Sequence, residues 1–305
     1  MRRYALKRIF LGIITIIGVS IILFVVSRLS GDVTYLLLPE GATKEDEVAL
    51  RAELGLDKPI PVQFLIFVGN VTRGKFGDSI RYRRPALELV IERLPATFEL
   101  GATAFLLAIC IGLSIGVISA TQRNSFGDIW GKLFALIGQS MPGFWLGIMS
   151  ILIFAVKLNW LPTSGRGGIA NIILPATTLA WYSTASIVRL TRSAMLEILD
   201  SEYIKTARLK GNRERIVIWK HALRNALIPV VSLAGIQLGI LLGGVVITES
   251  VFGWPGLGSL ILDGVYSRDY SLVQAGVLVT STIFITLNLI VDLLYGVIDP
   301  RIRYS

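Results

Sequence analysis

Long uncharged stretches dominate the pattern of hydrophobic and polar positions along this chain. A helix that crosses a bilayer needs roughly 17 to 25 mostly apolar residues. Membrane-spanning β-strands are shorter and alternate in polarity, so the pattern predicts helices. Six stretches meet the helical length, and we interpret them as six membrane spans: residues 9–26, 100–121, 133–156, 169–188, 225–248 and 270–291.

The composition agrees with a membrane protein. Of 305 residues, 53% are hydrophobic and 17% charged, with a mean hydropathy of +0.67, whereas soluble domains carry roughly 25% charged residues. The single cysteine, Cys110, excludes an internal disulfide, and one histidine, His221, gives no basis for a metal site. No cofactor is predicted. The fold class predicted is an all-α polytopic membrane protein.

The basic residues predict the orientation and account for the net charge of +9 without a nucleic-acid partner. Lys and Arg concentrate in the leader, in 189–224 and in the tail, whereas the short loops on the other side hold only Lys157, Arg166 and Arg268. Short cytoplasmic loops are enriched in Lys and Arg. Both termini are therefore predicted to be cytoplasmic, in a multi-pass protein of the cell (inner) membrane.

The polar segments divide the chain into three predicted regions. Residues 1–28 form the leader and first span, which we interpret as a retained span because no A-x-A cleavage site follows it. Residues 29–94 form a long extracytoplasmic loop, with a solvated helix from Lys44 to Glu53 capped by Thr43 and an amphipathic helix at 85–94. Residues 95–305 form a five-span core with a cytoplasmic loop at 189–224.

One motif in the outer loop resembles an ATP-binding sequence by coincidence. Residues 69–75 fit G-x4-G-K, but Phe76 replaces the hydroxyl residue that binds magnesium. The stretch also lies on the predicted outer side, where ATP is scarce. We therefore expect no ATP hydrolysis by this chain and predict no catalytic residue.

Small residues mark the predicted sites of helix packing. In the second span they recur at every fourth position, and the fifth span repeats the pattern at Gly235, Gly239 and Gly243. This spacing lets helix backbones approach closely in lipid. The second-span residues are Ala104, Ala108, Gly112, Gly116 and Ala120.

The loop at 189–224 carries more structure than a connector needs. A helix-forming stretch at 197–210 precedes Gly211, which suits a helix C-terminus, and a basic amphipathic helix is predicted from Glu214 to about Leu223. Binding to anionic lipid would explain the charge of this loop. Docking of a cytosolic partner explains the charge, the apolar residues on both helices and the glycine bend.

This loop resembles the EAA loop of ABC-importer permeases, whose consensus is Glu-Ala-Ala, three residues, Gly. Lys205, Thr206 and Ala207 occupy the first three positions, and Gly211 has the right spacing. The continuation at 219–229 is similar to the dipeptide, oligopeptide and nickel branch of that family. The other similar stretches are 74–79, 93–100, 249–258, 268–270, 292–295 and 299–304, while 31–33 departs from the usual Pro-Gly-Asp-Pro.

The resemblance implies a six-span type I ABC-importer permease fold with a long first extracytoplasmic loop. It implies four kinds of partner: a second homologous permease, two cytosolic ATPase subunits, an extracytoplasmic binding protein and membrane lipid. Lys205, Thr206, Ala207, Arg208 and Gly211 would form the ATPase-coupling loop. The chain would form half of the pathway for di- or oligopeptides, with nickel chelates, glutathione or oligosaccharides as alternative substrates.

Two further hypotheses remain open at this stage. Polar residues that could line the pathway or a gate are Gln139, Ser140, Gln237, Trp254 and Asn288, although Trp254 equally fits a rigid interfacial turn. An ion-coupled secondary transporter would work without an ATPase, but it predicts paired helix interruptions in two halves. The sequence shows no such paired interruptions in corresponding halves, although Pro142-Gly143 interrupts the third span.

Overall fold

The computed structural model describes residues 2–29, 43–53 and 57–298 of the chain. Within these ranges the chain is built from α-helices joined by short turns. In chain order they are α1 (Arg2–Leu29), α2 (Lys44–Glu53), α3 (Ile60–Val71), α4 (Ala86–Thr121), α5 (Phe126–Ser140), α6 (Gly143–Ser150), α7 (Ile169–Leu199), α8 (Glu202–Leu209), α9 (Glu214–Ile216), α10 (Leu223–Val251), α11 (Leu257–Tyr266) and α12 (Tyr270–Ile298).

Four of the described helical stretches are long and apolar enough to cross a membrane. They lie at Leu6–Leu29, Ala86–Thr121, Glu214–Leu241 and Tyr270–Val291. The third predicted span is present as α5 and α6, which continues as a π-helix at Ile151–Lys157. The two halves meet at 108°, so they count as a fifth span only if the bent pair is taken together. Pro142 and Gly143, the interruption seen in the sequence, occupy the bend.

The fourth predicted span lies in α7, which is not among the most apolar helices. Its middle carries Thr178, Ser183, Thr184 and Ser186, all of which are buried. Helix α7 contacts α5, α6 and α10. A helix enclosed by other helices does not need an apolar surface on every side, so its lower hydropathy follows from its central position.

The described residues divide into two compact units. One comprises residues 1–94 with 260–289, and we call it the N-terminal unit; the other comprises 95–259 with 290–305, and we call it the core unit. In the N-terminal unit, α1 contacts α3 through Phe24, Phe64 and Phe67, and Gln274 donates a hydrogen bond to Ser27. Thr43 caps α2 as predicted, and its hydrogen bonds lower the pKa of Asp46.

The core unit confirms the predicted close packing of α4. Ala104, Ala108 and Ala120 are fully buried. A Cβ atom at Gly112 would lie 2.7 Å from Ile187, and one at Gly116 would lie 2.6 Å from Thr191, both on α7. Two helices can approach this closely only where one of them lacks side chains. In the fifth span, a Cβ atom at Gly243 would meet nothing within 4 Å, so this glycine does not mark a close helix contact.

Two predicted helix boundaries were wrong. The amphipathic helix at 85–94 does not end before Pro95: α4 runs unbroken from Ala86 to Thr121. The helix after Gly211 does not end near Leu223 either. From Glu214 it passes through a π-helix at Val217–Ala222 directly into α10, because no helix-breaking residue lies between Glu214 and Ile228.

Candidate functional site

The loop between the fourth and fifth predicted spans folds as a short helix set between two long ones. The stretch at 197–210, predicted as one helix, is broken: α7 ends at Leu199 and α8 begins at Glu202. Ser201 has extended backbone angles, and its hydroxyl donates to the carbonyl of Ile198. Asp and Ser favour helix ends over helix interiors, so Asp200 and Ser201 account for the break.

Gly211 produces the turn that follows α8. Its φ angle is +77°, in the left-handed region that glycine adopts readily, and its N–H donates to the carbonyl of Arg208. Asn212 adds a side-chain hydrogen bond of 2.9 Å to the carbonyl of Ala207. The predicted glycine at the helix C-terminus is therefore confirmed, with an asparagine that closes the same turn.

Apolar side chains hold α8 against the rest of the core unit. Ile204 is fully buried and Ala207 is nearly so. Ile204 belongs to a hydrophobic cluster, which we call the junction cluster, with members from α4, α7 and α10 and from the π-helix that precedes α10. The other buried members are Val117, Ala120, Ala194, Met195, Leu199, Val217, Ala222 and Ala226. A displacement of α8 therefore reaches three long helices at once.

The opposite face of α8 is exposed and its charges pair locally. Lys205 pairs with Glu202 at 2.6 Å, and Arg208 forms two hydrogen bonds to Glu214, at 2.8 and 3.1 Å. The hydrogen bonds to these carboxylates raise the pKa of both Lys205 and Arg208 above their ordinary values. Leu209 is 87% exposed, and Thr206 donates to the carbonyl of Glu202.

A buried carboxylate joins three helices close to this loop. Asp128, at the start of α5, is fully buried and forms two hydrogen bonds with Arg192 of α7, at 2.7 and 3.1 Å. It also accepts from Ser119 of α4 at 2.6 Å and pairs with Lys132 at 2.8 Å. Four donors around one carboxylate compensate its desolvation. The signal for this site in the sequence is Ser125, which marks the start of α5. Its side chain caps the helix by accepting a hydrogen bond from the Asp128 N–H.

A second set of hydrogen bonds connects the turn between α4 and α5 to the end of α7. The Arg123 guanidinium donates to Asp200 at 2.7 Å and to the carbonyl of Leu196 at 3.4 Å. Asp200 is the residue after α7, two positions before α8 begins. The α4–α5 turn is thus bound directly to the segment that carries α8.

The turn after α10 is organised by a buried glutamate. Glu249 is fully buried and accepts hydrogen bonds from Thr97 at 2.7 Å and from the backbone N–H of Ser259 at 2.9 Å. Thr97 in turn accepts from the N–H of Leu257. A Cβ atom at Gly256 would overlap the Glu249 carboxylate, so this position requires glycine. We call this set the glutamate latch.

Trp254 belongs to this turn rather than to an open surface. Its side chain is 1% exposed, and its Nε1–H donates to the carbonyl of Ala96 at 2.9 Å. Of the two interpretations left open for Trp254, the structure is consistent with the rigid turn.

The other predicted pathway residues do not converge. Gln139 Oε1 accepts from Arg189 at 2.8 Å, Ser140 donates to the carbonyl of Leu136, and Asn288 donates to that of Phe284. Gln237 is buried, and its Oε1 has no hydrogen-bond partner among the described residues; the same holds for Gln139 Nε2. Asn288 lies in the N-terminal unit and the others in the core unit. Their role in a pathway stays a prediction.

A cavity of about 240 Å³ lies in the core unit where the α5–α6 bend meets α7 and α10. Hydroxyl groups of Thr178, Ser183 and Thr248 and the aromatic rings of Trp181 and Tyr182 line it, and none of its lining residues is charged. None of the five predicted pathway residues lines this cavity. Sequence reasoning missed it because its walls come from three helices far apart in the chain.

Comparison with known proteins places this fold and loop in a family. Residues 112–304 match the family described as binding-protein-dependent transport system inner membrane component, and residues 1–101 match the N-terminal family of the same transport systems. The chain belongs to this family, as the permease subunit of an ABC importer and a multi-pass protein of the inner membrane.

Curated relatives match over the full length of both chains. The dipeptide transport system permease DppB of Escherichia coli K12 is 41% identical, and the glutathione transport system permease GsiC of Pectobacterium atrosepticum is 43% identical; each match covers 100% of both chains. A chain in an inward-facing structure of the MetNI methionine ABC transporter matches with a TM-score of 0.54, 22% identity, and coverage of 69% of this chain and 94% of that one. That likeness concerns the fold.

Proposed function

We propose that this chain forms half of the membrane pathway of an ATP-driven peptide importer. The full-length similarity to a dipeptide permease and to a glutathione permease supports a peptide substrate. Binding-protein-dependent transport, the description of the family, supports an extracytoplasmic binding protein as a partner. A second homologous permease and two cytosolic ATPase subunits complete the assembly.

The observation that carries the proposal is the seating of α8 in the junction cluster. Ile204 and Ala207 face the core unit, while Lys205, Thr206 and Arg208 remain at the opposite, exposed face. A helix with one face packed on three long helices and the other free is suited to transmit the motion of a docked partner. In this proposal both termini and α8 lie in the cytoplasm, and the ATPase partners hydrolyse ATP.

Substrate passes through the uncharged cavity beside the α5–α6 bend in this proposal. Hydroxyl groups and aromatic rings can contact peptide backbone and varied side chains without selecting one charge. Selectivity among peptides then rests on the binding protein. Glutathione, a small peptide derivative, is the second candidate substrate because of the 43% identical relative.

Co-purification and uptake test the proposal together. The tagged chain should be recovered with ATPase subunits and a second permease. Proteoliposomes with ATP on the α8 side should take up a radiolabelled dipeptide only when the binding protein is added on the other side. Competition with glutathione ranks the two substrates. Recovery without an ATPase, combined with uptake that follows an ion gradient after ATP depletion, would establish the secondary-transporter alternative instead.

Gly211 tests the coupling role of the loop. Proline cannot adopt a positive φ angle and lacks the N–H that bonds to Arg208, so Gly211→Pro should distort the turn. We expect assembly in the membrane with ATP hydrolysis that no longer drives uptake. The matched control is Gly165→Pro, at another glycine with positive φ in the loop before α7. Wild-type uptake by Gly211→Pro would contradict the coupling role.

The orientation is tested by labelling. In a Cys110→Ala background, a cysteine introduced by Thr206→Cys should react with a membrane-impermeant thiol reagent only in inside-out vesicles. Labelling in intact cells would reverse the proposed orientation.

A further inference from the structure

Residues 77–86 form a small hairpin just before α4, which we call the basic hairpin. The N–H of Ala86 donates to the carbonyl of Gly77 at 3.0 Å, and the N–H of Ser79 donates to that of Arg84 at 2.9 Å. Asp78 and Pro85 form an antiparallel bridge between these bonds. The tip of the hairpin is therefore Ile80, Arg81, Tyr82 and Arg83.

A buried carboxylate anchors the hairpin within the N-terminal unit. Asp269, just before α12, is fully buried and accepts a hydrogen bond from the Ser79 hydroxyl at 2.5 Å. It also accepts from the N–H of Arg81 at 3.3 Å, and the Ser79 oxygen accepts from the N–H of Tyr82 at 3.1 Å. A buried carboxylate held by several donors restrains the loop it contacts. The tip is thus presented in one conformation.

Arg83 occupies a backbone position that favours glycine. Its φ angle is +51°, and the left-handed region strains a side chain of this size. Its side chain is exposed, and no carboxylate among the described residues lies within ion-pair distance of its guanidinium. A strained, exposed arginine where glycine would be more stable points to a role for the charge itself.

The neighbouring arginines, Arg81 and Arg84, already contact other groups of this chain. Arg84 is paired with Glu88 and Glu92, and Arg81 lies over the Tyr82 ring, 5.5 Å from its centroid, and 3.9 Å from Asp263. Arg83 is therefore the cation of the tip that is available to a partner.

We propose that the basic hairpin docks on an acidic patch of the extracytoplasmic binding protein, with Arg83 as its central contact. The inference rests on the proposed function and orientation, which put residues 29–94 outside the membrane. Charge complementarity steers association of protein partners.

Distance from the membrane favours a protein partner over lipid. Between the hairpin and the uncharged part of α4 lie Glu88, Glu92, Arg93 and Glu99. At 1.5 Å per residue, this stretch of helix is about 20 Å long. Screening limits attraction to lipid phosphates to roughly 8 Å at physiological salt.

Variants at Arg83 separate charge from fold. Association of the binding protein is measured with the whole transporter in nanodiscs of pure phosphatidylcholine. Arg83→Glu should slow association about tenfold at low salt, and the difference should vanish at high salt. Arg83→Lys should remain close to wild type. Arg83→Gly should lose the fast association yet unfold at the same or a higher temperature, because glycine relieves the strain.

Lys44→Glu is the matched control, with the same charge change at an exposed position of the same outer segment. If Arg83→Glu associates no more slowly than this control, the hairpin proposal is wrong. The proposal is also wrong if Arg83→Glu leaves association of the binding protein unchanged and changes only how much phosphatidylglycerol the transporter retains in nanodiscs of mixed lipids. In either case the wild-type transporter still imports peptide with its binding protein. A wild type that neither binds one nor couples ATP to uptake would instead defeat the proposed function.

Transport kinetics give a second readout. Docking affects how much loaded binding protein is needed, not the turnover of the docked complex. Arg83→Glu should therefore raise the apparent KM for the loaded binding protein with little change in maximal rate. A fall in maximal rate at unchanged KM would overturn the docking role.

Discussion

Two sets of ion pairs lie within the core unit, and they differ in burial and in the helices that they connect. Around Asp128, four donors from three helices converge on a fully buried carboxylate. On α8, Lys205 and Arg208 pair with glutamates of the same loop, and the side chains of both pairs are exposed, from 42% at Arg208 to 86% at Glu202. The buried set can fix the packing of helices, whereas the exposed set leaves a surface that a partner can reorganise at low energetic cost.

The difference also shows what holds α8 in place. Its exposed ion pairs are local and screened by water, so they contribute little to its docking on the core unit. Ile204 supplies that docking through the junction cluster, and the buried Ala207 adds to it. Helix α8, which we propose as the coupling element, thus has an apolar buried face and a charged exposed face.

Asp128→Asn should have the largest effect. It leaves Arg192, whose side chain is 24% exposed, and Lys132, at 48%, without a full counter-charge. Breaking an ion pair whose carboxylate is buried typically costs about 3 to 5 kcal/mol. Thermal unfolding in detergent measures the loss. Asp200→Asn breaks the exposed pair with Arg123 and should cost less than about 1 kcal/mol. Equal losses in the two variants would show that burial does not distinguish the two sets.

Ile204→Ala should rank second. Deleting a fully buried side chain of this size costs about 2 to 5 kcal/mol, although the exposed loop around α8 allows some collapse. We also expect fewer peptides imported per ATP, because α8 then transmits motion poorly. Leu209→Ala is the control on the same helix, at an exposed position where less than about 0.5 kcal/mol is expected. Unchanged coupling in Ile204→Ala would remove the junction cluster from the mechanism.

Thr97→Val should have an intermediate effect. It removes the hydroxyl that donates to Glu249 and accepts from Leu257 while keeping the shape of the side chain. Leaving buried polar groups unpaired costs about 1 to 3 kcal/mol. Hydrogen exchange at Leu257–Tyr266 should speed up locally, whereas exchange in α8 should not change. A uniform change in exchange across the core unit would argue against a local latch.

Glu214→Gln should have the smallest effect. An exposed pair contributes roughly 0.2 to 1 kcal/mol, and the contribution should shrink as salt is added. The pKa of Arg208 is raised, so its contribution is present below the ordinary arginine pKa and is lost only as pH rises through the higher folded value. The contribution of this pair to the free energy of unfolding should therefore stay constant between neutral and mildly alkaline pH. A loss in that window would contradict this assignment.

The local pattern predicted much of the loop at 189–224 and of the helix packing. Gly211 was expected to end a helix, and it does so with a positive φ angle. The small residues of α4 were expected to permit close packing, and they lie against α7. Both features depend on residues a few positions apart, which a periodic pattern records directly.

Other features were predicted wrongly or not at all. The break at Asp200-Ser201 was missed because neighbouring helix formers outweighed two weak signals. Pro95 was taken as a boundary, yet α4 continues through it. The tail at 299–304 and the departure at 31–33, both used in the resemblance, lie outside the described residues.

By itself the sequence determined the membrane class, the order of the apolar stretches, and the loop that resembles the family's consensus. Those properties follow from runs of residues and their spacing. Only the tertiary structure decided which carboxylates are buried and what they bind. Asp128 meets Arg192 from 64 residues away, and Thr97 meets Glu249 across 152. Such pairs form because helices distant in the chain pack side by side, and burial then makes each charge require its partner.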